Sequence, residues 1–436
     1  MNRKAAKTSV LLSLLFLVVY GTTNWLASLR HNVPGFPFPW ERHIPFVPLM
    51  ILPYMSIDLF FVASPFLSRN DQERQTLARR ITAAILIAGC CFILFPLRFA
   101  FERPPVDGWL GAIFNNFRSF DRPFNQLPSL HITLGLLLAA HYWRRMKGSL
   151  GIAILLWFGL ILLSALLTYQ HHLIDVIGGL ALAVLCFHFI QDEPLRQPAN
   201  VNTKVGRYYL IGAILLTAGA LIARPWTWVL LWPAASLALV AGAYFGVGPG
   251  IYRKSRGRLP LTTRLLLAPV LIGHYISLLY YARQCRPWDR LTDRLWIGRK
   301  LSNPEARQAI AAGVTAVLDL TAEFSEPRAF RDLSYRQLPI LDLTAPTSRQ
   351  LEEAMNWVRE RCEEGVVYVH CKAGYSRTAA VAGPFLIDSG QADSAEGAMM
   401  MLRTARPQII IRPEAAAAIR AYQQSRAGAA HVDAEL

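Results

Sequence analysis

The sequence predicts a multi-pass α-helical membrane bundle followed by an α/β domain. Three observations carry that fold class. The chain has 436 residues, 53% hydrophobic content and a mean hydropathy of +0.29, too apolar for a soluble protein that also carries a net charge of +16. Its apolar residues concentrate before residue 285, in runs of membrane-spanning length. From Asp293 onward, short β-branched runs alternate with helical patterns, which predicts a mostly parallel sheet covered on both faces.

The first run, 10–29, follows Arg3, Lys4 and Lys7. No A-x-A cleavage site follows and further runs do, so it reads as a first span rather than a signal peptide. Runs at 44–67 and 81–97 come next, joined by a loop with Arg69, Arg74, Arg79 and Arg80. A polar segment, 98–128, leads to a fourth run opening at Leu130, a fifth at 150–167 and a sixth at 173–190. Arg144, Arg145 and Lys147 join the fourth to the fifth. The positive-inside rule places the N-terminus and the 68–80 and 144–148 loops in the cytoplasm. The 98–128 and 168–172 loops then face the other side together.

After Gln191 a polar link leads to runs at 208–223 and 226–245, then to a basic loop with Arg253, Lys254, Arg256, Arg258 and Arg264. The run 265–281 holds Pro269 and His274 between basic flanks. It reads as an interfacial or re-entrant helix, which leaves the C-terminal domain cytoplasmic. A ninth span would put that domain outside.

The basic residues sit in short loops, with no Lys/Arg run interleaved with aromatics, so the expected partner is an anionic bilayer and not nucleic acid. Six cysteines, Cys90, Cys91, Cys186, Cys285, Cys362 and Cys371, form neither a metal nor a disulfide pattern. No metal and no cofactor are expected.

In the C-terminal domain, LWIG and VTAVLDL read as strands around a helix at 304–312, and YRQLPIL as another strand. A helix at 348–363 precedes the strand 366–369, and helices near 394–403 and 414–425 close the domain. The expected domains are a membrane domain at 1–195, further helices and a basic linker at 196–290, the α/β domain at 291–428, and a disordered tail at 429–436, with fraying from 427.

The stretch 366–382, VVYVHCKAGYSRTAAVA, carries the chemistry of this domain. A strand ends at His370 and Cys371, a tight loop follows, and Thr378 opens a small-residue helix. Backbone N–H groups of such a loop converge into an anion cradle, here from Lys372, Ala373, Gly374, Tyr375 and Ser376. Gly374 allows the turn. Donors and the helix dipole favour the Cys371 thiolate, a nucleophile at neutral pH. Arg377 can grip two phosphate oxygens with its planar fork, and the Thr378 hydroxyl can stabilise the departing thiolate. His-Cys-x5-Arg-Thr is the signature of the Cys-dependent phosphatases, and the segment 291–425 resembles a dual-specificity phosphatase throughout. The loop HCKAGYSRT is similar to those of phosphatidylglycerophosphate and phosphoinositide phosphatases. Lys372 adds charge where an acidic headgroup would lie, which tips the reading from phosphotyrosine toward a lipid. The resemblance implies a general acid about where Asp342 stands, 29 residues before Cys371, with Asp319 as the rival.

A second set lies in the two facing loops: Arg98, Arg103-Pro104, Pro128-Ser129-Leu130-His131, and Tyr169-Gln170-His171-His172 with Asp175. His171 and Asp175 are four apart on one helix face, so the carboxylate can set the imidazole tautomer. Histidines and arginines together suit phosphoryl transfer without a metal. This resembles the type 2 phosphatidic acid phosphatase superfamily, six-helix membrane enzymes with the motifs Lys-x6-Arg-Pro, Pro-Ser-Gly-His and Ser-Arg-x5-His-x3-Asp. Arg103, Pro104, Pro128, Ser129, His131, Ser164, His171 and Asp175 match. The resemblance implies His171 as nucleophile, Asp175 as its partner and His131 as acid, with Arg98, Arg103 and Ser129 on the phosphate. Three positions depart. Arg98 stands in for the first lysine. Leu130 replaces glycine, as in the inositol-phosphoryl-ceramide synthase branch. Ala165 replaces the third-motif arginine, leaving Arg122 or another base to compensate.

The whole chain resembles bacterial inner-membrane fusions of the two phosphatase types: a six-helix phosphatidic acid phosphatase-like core, two or three further helices, and a dual-specificity phosphatase domain. The expected activity is hydrolysis of phosphate monoesters, chiefly of phospholipids, through a phosphocysteine and a phosphohistidine. The soluble site is expected in the cytoplasm and the membrane site toward the periplasm. A phosphoprotein phosphatase anchored by the membrane part is one alternative. A head-group transferase in the bundle, with a regulatory phosphatase domain, is the other.

Overall fold

The computed structural model describes residues 3–192, 196–197, 199–222 and 226–434. The chain forms two compact units, Met1–Glu193 and Pro194–Leu436.

The first unit contains α1 (Arg3–Ser28), α2 (Ile51–Ala63), α3 (Asp71–Leu94), α4 (Gly108–Phe120), α5 (Leu130–Trp143), α6 (Gly148–Leu167) and α7 (Leu173–Phe189). The Asn70 side chain caps α3 by accepting from the Glu73 N–H, and Ser129 caps α5 through Ile132. Apolar residues surround most of these helices, so one set packs inward and another is left for lipid. Ile81, Ala84, Ile85 and Ala88 of α3 pack with Leu134, Leu137 and Leu138 of α5. Leu14, Leu17, Leu86 and Leu156 face outward instead.

Helix α4 was not among the expected elements. Asn115, Asn116 and Arg118 make its segment polar in composition, yet Leu110, Ile113, Phe114 and Phe117 recur at helical spacing and pack on Ile51 and Tyr54.

The second unit opens with α8 (Thr203–Ile222), α9 (Leu231–Gly242), α10 (Leu261–Leu266) and α11 (Ala268–Gln284). Among the described residues, six helices are long and apolar enough to cross a membrane: Arg3–Ser28, Pro48–Leu67, Asp71–Leu94, Gly148–Leu167, Thr203–Ile222 and Thr227–Val247. Two more, Leu130–Trp143 and Leu173–Phe189, are apolar but shorter. This composition is that of a multi-pass membrane protein.

The rest of the unit is β1 (Trp288–Arg290), β2 (Leu295–Arg299), α12 (Asn303–Ala311), β3 (Val314–Thr321), α13 (Arg328–Arg331), β4 (Ser334–Ile340), α14 (Ser348–Glu364), β5 (Val366–Cys371), α15 (Ser376–Asp388), α16 (Ala395–Ala405) and α17 (Pro413–Ala434). The sheet order is β1-β2-β5-β3-β4. All pairs are parallel except the short β1 on β2, which was not expected. β5 is central, so its apolar run is buried on both faces and delivers Cys371 to the carboxyl edge of the sheet. On α14, Leu351, Ala354, Met355, Val358 and Cys362 form the face that covers the sheet. Each larger member contributes roughly 1.5–3 kcal/mol by burial. α17 continues to Ala434 through the Ala-rich stretch expected to fray.

Candidate active sites

The loop after β5 turns at Gly374, where φ is +69°. A Cβ there would lie 2.3 Å from the Gly298 carbonyl carbon, so the position takes only glycine. α15 then opens at Ser376, two residues before the expected Thr378. Cys371 is buried under the loop. Burial alone would push its thiol up, but the Arg377 guanidinium, the Thr378 hydroxyl and the Thr378 and Tyr375 N–H groups outweigh it and hold the thiol below its ordinary range. The Thr378 hydroxyl is buried beside the thiol and has no further partner.

Arg377 is held from behind. Its Nη1 and Nη2 donate to Glu323 Oε2 and Oε1 at 3.1 and 2.7 Å, and Nη1 also reaches the Ile340 carbonyl at 2.9 Å. Its Nε is buried with no partner. Asp342 lies in the turn beyond β4, with Oδ1 3.2 Å from Arg377 Nη2 and Oδ2 bonded to Lys372 Nζ. Burial would raise the Asp342 carboxyl, but Arg377 and Lys372 win and hold it well below the usual carboxylate range. Cys371, Lys372, Ala373, Tyr375, Ser376, Arg377 and Asp342 all line one small cavity of about 50 Å³.

Asp319 does not line that cavity. It sits on β3 beside His370, bonded to Lys254 Nζ at 2.5 Å, to the Thr321 N–H at 2.8 Å and to the Tyr335 hydroxyl at 2.8 Å. His370 Nε2 faces Glu326 Oε1 at 3.4 Å. Burial would lower the imidazole pKa, but Glu326 and Asp319 raise it above the ordinary value. Asp319, Glu326 and His370 could in principle ligate a metal, their ligand atoms lying within 4.8 Å of one another. The Lys254 ammonium already occupies the cation position on Asp319, so the cluster is a charge-balanced part of the core. Lys254 was read as one charge in a basic loop; its side chain is instead buried in the α/β domain.

Two further supports escaped the sequence reading. One is Glu323, for which a lone acidic residue in a loop offers no signal. The other is Arg406, fully buried, which donates to Asp289 Oδ2 at 2.5 Å and to the Ala373 carbonyl of the loop at 3.1 Å.

In the first unit, His131 and His171 line one cavity of about 430 Å³ with Tyr20, Tyr54, Asp58 and Asp121. His131 stacks on Tyr54 with ring centroids 4.0 Å apart, and its Nε2 lies 3.3 Å from the Ile161 carbonyl. His171 Nδ1 is 3.7 Å from Asp175 Oδ2 and has no hydrogen bond. Asp175 Oδ2 instead accepts from the His172 N–H at 2.8 Å, closing the first turn of α7. The Ser129 N–H donates to the Asp175 carbonyl at 2.9 Å, so the second and third motifs are tied through backbone. The Ser129 side chain is spent on capping α5.

His172 is a framework residue. Its Nε2 accepts from the Ala100 N–H at 3.0 Å, so Nδ1 carries the proton and donates to Glu41 Oε2 at 2.7 Å. Arg103 Nε donates to the Tyr169 carbonyl at 3.0 Å, while Arg98 is exposed. Arg122 reaches the Ser28 hydroxyl at 2.6 Å. No arginine or lysine lines the cavity among the described residues.

Residues 295–425 match the family "Dual specificity phosphatase, catalytic domain", and residues 54–189 match the "PAP2 superfamily". The chain joins two phosphatase domains. It is a phosphoric monoester hydrolase of the membrane type. This phosphatase is 25% identical over 157 residues to Phosphatidylglycerophosphate phosphatase PTPMT2 of Arabidopsis thaliana, covering 34% of this chain and 68% of that protein. It is 33% identical over 96 residues to Dual specificity protein phosphatase 19 of Mus musculus, covering 21% of this chain and 42% of that protein. Among solved structures, Tk-PTP in its active form aligns at 26% identity with a TM-score of 0.30, covering 32% of this chain and 97% of that chain.

Proposed function

We propose that the phosphatase hydrolyses phospholipid phosphomonoesters at Cys371 through a phosphocysteine. The observation that carries this is the low-lying Cys371 thiol under a donor loop, with Arg377 pre-aimed by Glu323. The Cys371 thiolate attacks phosphorus and the P–O bond to the leaving alcohol breaks. Arg377 and the loop N–H groups of residues 372–376 hold the equatorial oxygens. Asp342 gives its proton to the leaving oxygen. Asp342 is ionised while paired with Arg377 and Lys372; an entering phosphate dianion draws both cations and adds negative charge, which raises the carboxyl so that it takes a proton from solvent before donating it. Water then attacks the phosphocysteine, Asp342 takes the water proton, and the thiolate leaves with the Thr378 hydroxyl beside it. His370 acts from behind by fixing the strand end.

The lipid reading is supported by Lys372 in the cavity lining and by the likeness to the Arabidopsis relative, a phosphatidylglycerophosphate phosphatase. By the positive-inside rule the loop charges favour this domain in the cytoplasm and the bundle site on the opposite face, which in a bacterial inner membrane is the periplasmic one. In the bundle, His171 forms a phosphohistidine and His131 protonates the leaving alcohol. Of the phosphate contacts expected there, Ser129 is engaged in its cap and neither Arg98 nor Arg103 lines the cavity, so a guanidinium reaches a bound phosphate only if Arg103 leaves the Tyr169 carbonyl.

The test is phosphate release from a panel of phosphatidic acid, phosphatidylglycerophosphate and phosphopeptides by wild type, Cys371→Ser and His171→Ala. Cys371-dependent release from lipids supports the reading. Release from phosphopeptides alone establishes the anchored protein phosphatase instead.

A further inference from the structure

The turn that carries Asp342 is fastened by the helices that precede the sheet. Tyr244, in the segment Ala243–Val247 after α9, donates to the Asp342 carbonyl at 2.9 Å. Asn202, just before α8, donates to the Leu343 carbonyl at 2.8 Å, and Asn200 to the Ala345 and Pro346 carbonyls at 3.1 and 3.0 Å. α8 and α9 run antiparallel: Gly206 faces Phe245, Gly212 faces Leu237 and Gly219 faces Leu230. The start of α8 and the end of α9 therefore lie together, and that end of the hairpin meets the Asp342 turn.

Beside this clamp lies a cavity of about 820 Å³. Its walls include Tyr209 of α8, Leu237 of α9 and one face of α11 with Gly273, His274 and Ser277. Asp342, Leu343, Lys372 and Arg412 line it too, and the same four line the small cavity over Cys371 and Arg377. The reaction site and the large cavity thus share one wall. The other side of α11 presents Ile272, Ile276 and Leu279, which are 59%, 62% and 48% exposed. On α8, Ile214 and Leu215 are 58% and 67% exposed. Apolar faces this open on helices of this kind are lipid-facing.

We propose that this cavity is the lipid subsite of the Cys371 site. A phosphomonoester lipid enters from the bilayer between α8, α9 and α11. Its glycerol portion occupies the cavity while its terminal phosphate reaches Cys371. The membrane helices are then part of the active site rather than an anchor. Leaving the bilayer would expose two acyl chains to water, and a portal walled by lipid-facing helices avoids that cost. Lys204 and Arg412 line the cavity and Lys372 stands between it and the thiol, so the whole path of an anionic headgroup meets cations. This inference rests on the reading of Cys371 as a lipid phosphatase.

Gly273 supplies the test. A Cβ added there meets nothing within 4 Å and the position lines the cavity, so a larger side chain has the cavity to extend into. The full chain is reconstituted in phosphatidylcholine vesicles carrying phosphatidylglycerophosphate, and each rate is corrected by the same variant with Cys371→Ser. Gly273→Leu is expected to lower lipid turnover about tenfold or more, with p-nitrophenyl phosphate turnover unchanged. Ser277→Phe, one turn along the same face, repeats the test and guards against a folding defect at Gly273. Unchanged lipid turnover in both variants overturns the subsite while leaving the lipid reading intact. Equal loss on both substrates in both variants also overturns it, because the helix then acts on the chemistry and not on lipid access. A wild type that hydrolyses p-nitrophenyl phosphate and phosphopeptides but no lipid overturns the underlying reading instead.

Discussion

Glu323 holds Arg377 by both terminal nitrogens, at 2.7 and 3.1 Å, which leaves Nε and the Asp342 side of the guanidinium for a substrate. Without this brace the arginine would fold onto Asp342, already 3.2 Å away. Glu323→Ala should therefore lower kcat/KM on an aryl phosphate by roughly tenfold to a hundredfold, the ~1.5–3 kcal/mol of a hydrogen bond to a charged group. Glu323→Gln, which keeps one acceptor, should recover part of it. A merely structural role would cost stability without that partial rescue of rate.

The Cys371 thiol is depressed chiefly by Arg377 against its own burial. The thiolate is the reactive form, so alkylation by iodoacetamide should rise with pH through a midpoint below the ordinary ~8.5 and then level off. Removing the cation in Arg377→Ala should move that limb to higher pH. Cys371→Ser should abolish turnover at every pH, since a serine hydroxyl is not ionised there.

Asp342→Asn should cripple alkyl phosphates far more than an activated aryl phosphate, because protonation matters only when the leaving oxygen is basic. Comparing kcat on the two substrates checks it. An equal loss would make the residue structural.

Lys254 and Asp319 form a buried pair, and Asp319 is held below the usual carboxylate range by Lys254 and His370 against its burial. A depressed carboxyl stabilises the fold above its unfolded pKa of about 3.9, and that stability drains away as pH falls through the folded value. Lys254→Met should cost ~3–5 kcal/mol near neutrality. The gap from wild type, read by thermal unfolding in detergent, should shrink in acid as Asp319 is protonated. A gap that is constant with pH would falsify the pairing argument.

In the bundle, Asp175 caps the His172 N–H and lies 3.7 Å from His171. His171→Ala should abolish chelator-resistant lipid turnover in the Cys371→Ser protein. Asp175→Asn keeps an oxygen for the cap and should fold, yet lose most of the rate, since the imidazolium partner is gone. A rate equal to that of the parent would show that the carboxylate never closes on His171.

The long apolar helices, the strands β2 to β5 and the Cys371 loop were legible, because each is written in contiguous residues. Hydropathy marks a span, period marks a strand, and His-Cys-x5-Arg-Thr places a thiol, a turn and a cation within one loop. β1 and α4 were not legible, one for its three residues and the other for the polar residues that interrupt its apolar face. Which charges serve those motifs became visible only in the folded chain. Glu323, Lys254 and Arg406 are distant in sequence from what they hold, and a buried charge is recognisable only once its partner and its loss of water are known. The same holds for Asn200, Asn202 and Tyr244, whose contacts with the Asp342 turn span 98 to 146 residues. Contiguous residues were enough to predict a thiol-based phosphatase loop and a histidine pair in this chain. Packing decided that α8, α9 and α11 line the cavity adjoining the first, and that Asp175 and Ser129 cap helix ends at the second, because a hydrogen bond goes to the nearest orphan donor or acceptor and that neighbour is a property of the fold.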